Sequence, residues 1–216
     1  NPGLAASLAA LLVALSAGAA PGEDAPRTLP PRIDRDLDLE GNWAMDRDVE
    51  VAKGATLRLR AGARVVVAET DPSESGLDPK LCELRVHGRI VAEGTRDRPV
   101  VIASEQPVTT ARGETTPVWR GIVLHADRSR APDSVLTHVK FRGACEGVHV
   151  TDGAPRIERC VFHGCEAGVA AGRLWSSDRK EAEAAREPQP EVVETLFADC
   201  VQGVYVELSA APSLVR

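Results

Sequence analysis

Phe141-Arg-Gly-Ala-Cys-Glu-Gly147-Val148, Phe162-His-Gly-Cys-Glu-Ala-Gly168-Val169 and Phe197-Ala-Asp-Cys-Val-Gln-Gly203-Val204 align without adjustment, each running Phe, five residues, then Gly-Val. The steps from Phe to Phe are 21 and 35 residues, and the Gly steps are the same. Self-similarity at this spacing is the mark of stacked repeat units. The second step is longer by an insertion, visible as the polar stretch from about Arg173 to Gln189. Within it Ser177-Asp-Arg-Lys-Glu-Ala-Glu-Ala-Ala-Arg-Glu187 puts capping residues ahead of good helix formers, with Pro188 as a stop. One short surface helix is therefore predicted inside an inserted segment at 173–190.

After each anchor comes a short β-prone run, such as Val148-His-Val150 or Val204-Tyr-Val206. Apolar residues alternate there with variable ones, as a half-buried strand requires. The Gly ahead of each run reads as a sharp bend. Two residues before each Phe stands Val139, Cys160 or Thr195. These positions would form inward ladders when coils stack at the strand spacing of about 4.8 Å.

The N-terminal half follows the same grammar less regularly. Val49-Glu-Val51, Leu57-Arg-Leu59, Val65-Val-Val67, Leu84-Arg-Val86 and Val100-Val-Ile102 are short strands separated by Gly54, Gly62, Gly88 and Gly94. Strands this short bury enough surface only by stacking on neighbours, as in solenoids. A leucine-rich repeat would need Leu-x-x-Leu-x-Leu, which the three segments lack, and a β-sandwich would not repeat the Phe, Cys and Gly columns. The expected fold is all-β, a right-handed parallel β-helix of about seven to eight coils over residues 39–216. Ala211-Pro-Ser-Leu-Val-Arg216 stops where another unit would begin, so further coils are expected beyond it.

Composition sets the outer limits. The chain has 216 residues, 43% hydrophobic and 27% charged, which suits a domain with a core. Aromatics make up 3% and the net charge is -6, which argues against a nucleic acid partner. Leu4 to Leu15 is an Ala/Leu-rich run followed by Ala17-Gly18-Ala19, the pattern of an export signal cleaved after Ala19. No initiator Met or basic region precedes Asn1, so residues 1–19 read as a signal peptide already shortened at its start. The run falls short of the roughly 20 apolar residues that cross a bilayer, so no membrane span is expected once the signal is removed. Residues 20–38, with Pro21, Pro26, Pro30 and Pro31 among charges, read as a flexible spacer.

Gly41-Asn-Trp43, Val51-Ala-Lys-Gly-Ala-Thr-Leu57, Ala61-Gly-Ala-Arg-Val65, Leu84 to Thr95, Arg98-Pro-Val-Val-Ile-Ala-Ser104 and Trp119-Arg-Gly-Ile122 resemble exported parallel β-helix repeat proteins of the pectate-lyase-like superfamily. The resemblance runs from about Leu39 to the C-terminus. In that family such stretches form the first turns, a Trp-Arg-Gly-Ile opens a coil, and Ala154 to Phe162 resembles the recurrent unit. The family often places Asn just ahead of the inward Cys or Thr, where this chain has His138, Arg159 and Glu194. The scaffold hosts lyases, hydrolases, adhesins and members of no known activity, so function has to come from a site.

Polysaccharide cleavage on such a scaffold needs paired carboxylates, or a carboxylate-bound calcium with a basic residue. No Asp-Asp pair, Gly-His-Gly or Arg-x-Lys marks such a centre here, so no catalytic residue is assigned. Asp133, Asp152 and Asp199 read as turn residues. His138, His149 and His163 lie near Cys145, Cys160 and Cys165 in sequence, which are zinc-type ligands. No Cys-x-x-Cys pair joins them and the Cys columns face inward, so neither a metal nor another cofactor is expected. Cys165 and Cys200 share a column and are the disulfide candidate, although parallel Cβ vectors make the torsion awkward and favour a reduced ladder.

Ligand contacts are expected on loops held out by the rigid coils: Asp71 to Lys80, Glu105 to Val118 and the insertion. Trp119 or Trp175 could stack on a sugar ring, with Arg120, Asp178 and Arg179 as polar partners. The expected role is an exported scaffold, extracellular, at the cell surface or periplasmic, that binds polysaccharide or a cell-surface protein without catalysis. The alternative is a polysaccharide lyase or glycoside hydrolase whose catalytic coils lie outside this chain. The sequence points to no particular oligomeric state.

Overall fold

The computed structural model describes residues 26–104, 108–109, 115–125, 134–172, 188–206 and 212–215. The chain winds through seven coils of three strands each. The first coil holds β1 (Arg27–Thr28), β2 (Arg32–Ile33) and β3 (Leu37–Leu39); the second β4 (Asn42–Met45), β5 (Val49–Val51) and β6 (Thr56–Leu59). The third holds β7 (Arg64–Val67), β8 (Glu83–Val86) and β9 (Arg89–Glu93). The fourth holds β10 (Val100–Ser104), a two-stranded excursion β11 (Val108–Thr109) and β12 (Thr115–Thr116), then β13 (Trp119–Leu124) and β14 (Val135–Thr137). The fifth holds β15 (Val139–Arg142), β16 (Ala144–Val150) and β17 (Arg156–Glu158); the sixth β18 (Val161–His163), β19 (Ala167–Ala171) and β20 (Glu191–Val193). The seventh holds β21 (Leu196–Ala198), β22 (Gln202–Val206) and β23 (Ser213–Val215).

Matching strands of successive coils pair in parallel and build three sheets. Sheet A runs β1-β4-β7-β10-β15-β18-β21, sheet B β2-β5-β8-β13-β16-β19-β22, and sheet C β3-β6-β9-β14-β17-β20-β23. The molecule is thus a parallel β-helix. Among the described residues there is no helix, and the helix expected over Ser177 to Glu187, inside the insertion at 173–190, lies outside them.

Register turns sequence spacing into side-chain ladders. On sheet A the inward column is Trp43, Val65, Ile102, Phe141, Phe162 and Phe197. On sheet C it is Leu39, Leu59, Ala92, Leu136, Ile157, Val192 and Leu214. The Phe rings stack nearly parallel, with centroids 4.6 Å apart for Phe141 and Phe162 and 5.3 Å for Phe162 and Phe197. Apolar area hidden this way is the main term holding so short-stranded a fold together.

The repeated glycines serve space rather than a bend. A Cβ on Gly147 would lie 2.4 Å from a carbon of the Phe162 ring, and one on Gly168 would lie 2.3 Å from the Phe197 ring. The Phe of each coil fills the room left by the Gly of the coil before it, which is why Phe and Gly recur together. Gly147→Ala is expected to lower stability by about 2 kcal/mol through overpacking, read as a shifted urea midpoint.

Where the chain leaves sheet C for sheet A, one residue per coil turns left-handed: His138 (φ 50), Arg159 (φ 51) and Glu194 (φ 45). The turn aims each backbone N–H at the following coil: His138 donates to the Glu158 carbonyl, Arg159 to Val193 and Glu194 to Val215. These are the positions where the resembled family favours Asn, a residue that tolerates this conformation better than Arg or Glu. Arg159 and Glu194 also form an exposed ion pair at 2.7 Å, a contact of small net worth. Replacing both by Asn is expected to raise stability by about 1 kcal/mol, measured by urea denaturation.

Part of the stretch expected to be a flexible spacer at 20–38 is built into strands, while 20–25 lie outside the described residues. Residues 27–39 form the first coil, and Leu29 and Ile33 are buried. Two-residue strands between Pro30-Pro31 and the surrounding charges offer too little alternation to read as sheet.

Candidate functional site

Chain length is spent unevenly around the coil. The long connections are 68–82, 105–118, 125–134 and 172–190, and each begins or ends at a strand of sheet B. Connections from sheet C to sheet A stay short, the longest being 94–99. Sheet B is therefore the sheet whose margins carry the loops.

The outward column of sheet B is Arg32, Glu50, Arg85, Val123, His149, Ala170 and Tyr205. Its ends are open, with Tyr205 40% exposed, while Val123, His149 and Ala170 are buried in the middle coils. Polar groups collected here form three linked clusters.

The first anchors a loop. Asp71 accepts hydrogen bonds from the backbone N–H of Ser73, Ser75 and Asp48 and from the Ser73 hydroxyl. Those bonds outweigh its burial and hold its carboxyl below the usual range. Asp48 accepts from the Ser75 hydroxyl at 2.6 Å and the Glu83 N–H at 2.9 Å. Leu77 N–H donates to Glu83 at 3.0 Å, and Arg85 faces both Glu83 and Asp48. Burial pushes the Glu83 carboxyl up. Gly76 (φ 79) packs so close that a Cβ there would lie 2.6 Å from the Glu83 carboxylate. This network fixes loop 71–80 to the coils.

The second cluster joins Arg120, Glu146 and His149. Glu146 Oε2 lies 2.6 Å from Arg120 Nη2 and 2.6 Å from His149 Nδ1. Burial alone would raise the Glu146 carboxyl, but His149 and Arg120 together bring it below its usual range. His149 Nε2 lies 3.1 Å from the Gly172 carbonyl. Its two ring nitrogens thus face a carboxylate oxygen and a backbone carbonyl, which hold the ring in place.

The third cluster is built on His125. The Thr151 hydroxyl spends its proton on the Leu124 carbonyl at 2.9 Å, so His125 Nδ1, 3.0 Å away, must donate to the Thr151 oxygen. That fixes the tautomer and puts the lone pair of His125 on Nε2. The ring stacks on His87 at 4.4 Å. Burial first, then His87 and His149, push its pKa down to about 4, so His125 is neutral at pH 7.

The ligand residues expected from sequence divide sharply. Trp119 is fully buried, its indole N–H donating to the Arg142 carbonyl at 2.9 Å, so it cannot stack on a ligand. Its Trp-Arg-Gly-Ile context reflects packing: a Cβ on Gly121 (φ 123) would lie 1.7 Å from the Glu146 carbonyl oxygen, at a bulge in the sheet. Arg120 is held in the cluster with Glu146. Trp175, Asp178 and Arg179 lie outside the described residues, as do the signal segment and Asp133. Asp199 turns left-handed (φ 53) and pairs with His163 at 3.1 Å. Among the described residues no group of three His, Cys, Asp or Glu is placed to hold a metal, and no helix is long and apolar enough to cross a membrane.

The sequence missed the Glu146, His149 and His125 clusters because their members come from different coils or face one another across a strand turn. No family model, no curated protein and no solved structure matches the chain.

Proposed function

We propose that this chain is a non-catalytic recognition scaffold whose ligand face is the outer surface of sheet B together with the loops at its margins. The ligand class is polysaccharide or a cell-surface protein. The observation that carries this reading is the concentration of every long connection of the coils at the margins of sheet B. Binding without catalysis is supported by how the acidic groups are used. Glu146 serves Arg120 and His149, and Glu83 and Asp48 fasten a loop, so these carboxylates are spent on structure.

The three-sheet coil and the motifs at Gly41-Asn-Trp43 and Trp119-Arg-Gly-Ile122 support placing the chain with the exported pectate-lyase-like β-helices. Ala17-Gly18-Ala19 after the apolar run supports export.

Arg32 and Tyr205 are exposed members of the outward column, and Glu50 and Arg85 are half-exposed; Tyr205 offers an aromatic face of the kind sugars stack on. The test is a glycan array followed by titration of any hit. The expected result is a polysaccharide whose affinity falls by about tenfold in Tyr205→Ala. A blank array would overturn polysaccharide recognition, and a hit insensitive to both Tyr205→Ala and Glu50→Ala would overturn the assignment to sheet B.

A further inference from the structure

We propose that Cys165 and Cys200 form a thiol–disulfide couple that pins the seventh coil to the sixth, exchanging with small-molecule disulfides of the glutathione class. Pairing of Phe162 with Phe197 and of Ala167 with Gln202 sets the two cysteines opposite one another in adjacent coils. A backbone bond from Val201 N–H to the Cys165 carbonyl, 3.1 Å, holds them there. Neighbouring parallel strands lie about 4.8 Å apart, inside the Cα separation that a disulfide spans. Both thiols are free; Cys200 Sγ donates to the Phe162 and Ala198 carbonyls and Cys165 Sγ to the His163 carbonyl.

The other three cysteines are placed differently. The Cys82 thiol donates to the Thr70 carbonyl and that of Cys160 to the Leu136 carbonyl. Burial pushes Cys82 and Cys160 up to about 12 and Cys145 up to about 11. Cys200 is half-buried, and the neighbouring Cys165 thiol lowers its pKa, favouring the thiolate that exchange needs. Cys165 is buried beneath it. The accessible, more acidic sulfur therefore lies beside a shielded one, which is the arrangement of an attacking and a resolving thiol.

The exchange balances in two steps. The Cys200 thiolate attacks one sulfur of the disulfide RSSR, forming a mixed disulfide and expelling RS⁻, which takes up the proton that Cys200 lost. The Cys165 sulfur then attacks the Cys200 sulfur, releasing the second RS⁻, which takes the Cys165 proton. The protein dithiol is oxidised by two electrons and RSSR is reduced to two RSH.

Strands β21, β22 and β23 of the seventh coil pair with β18, β19 and β20 of the sixth. Leu196, Val201 and Leu214 are 58%, 75% and 64% exposed there. A bond from residue 165 to residue 200 closes the loop containing the insertion and ties the seventh coil to the sixth.

The experiment treats the full reduced chain with glutathione disulfide under native conditions, then maps peptides by mass spectrometry and follows amide hydrogen exchange. The expected product has lost two hydrogens, carries a Cys165–Cys200 link, and exchanges amides of residues 196–206 about tenfold more slowly. Cys200→Ser is expected to abolish the link, while Cys165→Ser is expected to stop at a glutathione adduct on Cys200. A stable adduct on Cys200 of the unmodified sequence, or a link from Cys200 to any other cysteine, would overturn the proposal. So would faster reaction of Cys82, Cys145 or Cys160. None of these outcomes depends on polysaccharide binding.

Discussion

Phe162→Ala is expected to lower the free energy of unfolding by about 3 to 5 kcal/mol, the cost of emptying a closed aromatic site. The ring is fully buried, is sandwiched between Phe141 and Phe197, and fills the space over Gly147. Its removal takes away apolar burial, two ring contacts and the lid of the neighbouring glycine together. Leu196→Ala, next to the same column but 58% exposed, is expected to change stability by less than about 0.5 kcal/mol. Urea denaturation of both variants decides the matter: the midpoint should move far for Phe162→Ala, with an unchanged slope, and hardly at all for Leu196→Ala. Equal effects would mean that the stack does not carry the core.

Acid should destabilise the fold through His125, in a window set by burial. An unfolded chain takes up the imidazole proton at the ordinary pKa of 6.5, whereas in the folded chain the same ring takes it up only near 4. The unfolded state therefore binds more protons between those values, and stability falls as pH drops from about 6.5 to about 4. Above 6.5 both states are neutral and the group contributes nothing to the slope. The full shift corresponds to about 3 kcal/mol. Arg85, His87 and His149 all oppose a charge on the ring, and Asp152 alone among the groups acting on it favours one. Denaturation between pH 7 and pH 4 should show this loss, and His125→Gln should flatten it. A slope unchanged by that substitution would place the acid-sensitive group elsewhere, with Glu146, held below its usual range, next in line at lower pH.

How much could be read from the residues follows from where the long loops fall. Phe141, Phe162 and Phe197 were legible as a repeat because the chain between them departs from one period only at the insertion before Glu191. Trp43, Val65 and Ile102 stand in the same column, but connections 68–82, 105–118 and 125–134 break the spacing, and apolar residues of different shape occupy the sites. The short strands themselves were still visible through alternation, as at Val49 to Val51 and Leu84 to Val86. The first coil was not, since a strand of two residues has no period.

The site was less legible for a different reason. Trp119 reads as a candidate ligand platform, yet register places it inside, and only the partner of its indole N–H explains why a Trp is tolerated there. The cluster of Arg120, Glu146 and His149 depends on which strand face each residue takes and on a carbonyl supplied by the following coil at Gly172. Hydrogen-bond direction, read off donors and acceptors, is what assigned the tautomer of His125. That information does not exist before the fold does.

The most direct measurement is a nuclear Overhauser experiment on protein with isotope-labelled Phe rings. Stacked coils require ring protons of Phe162 to show contacts to the α-protons of Gly147 and to the rings of both Phe141 and Phe197. A Phe162 ring whose only contacts come from residues adjacent in sequence would contradict the β-helix, and with it the ligand face and the cysteine couple built upon it.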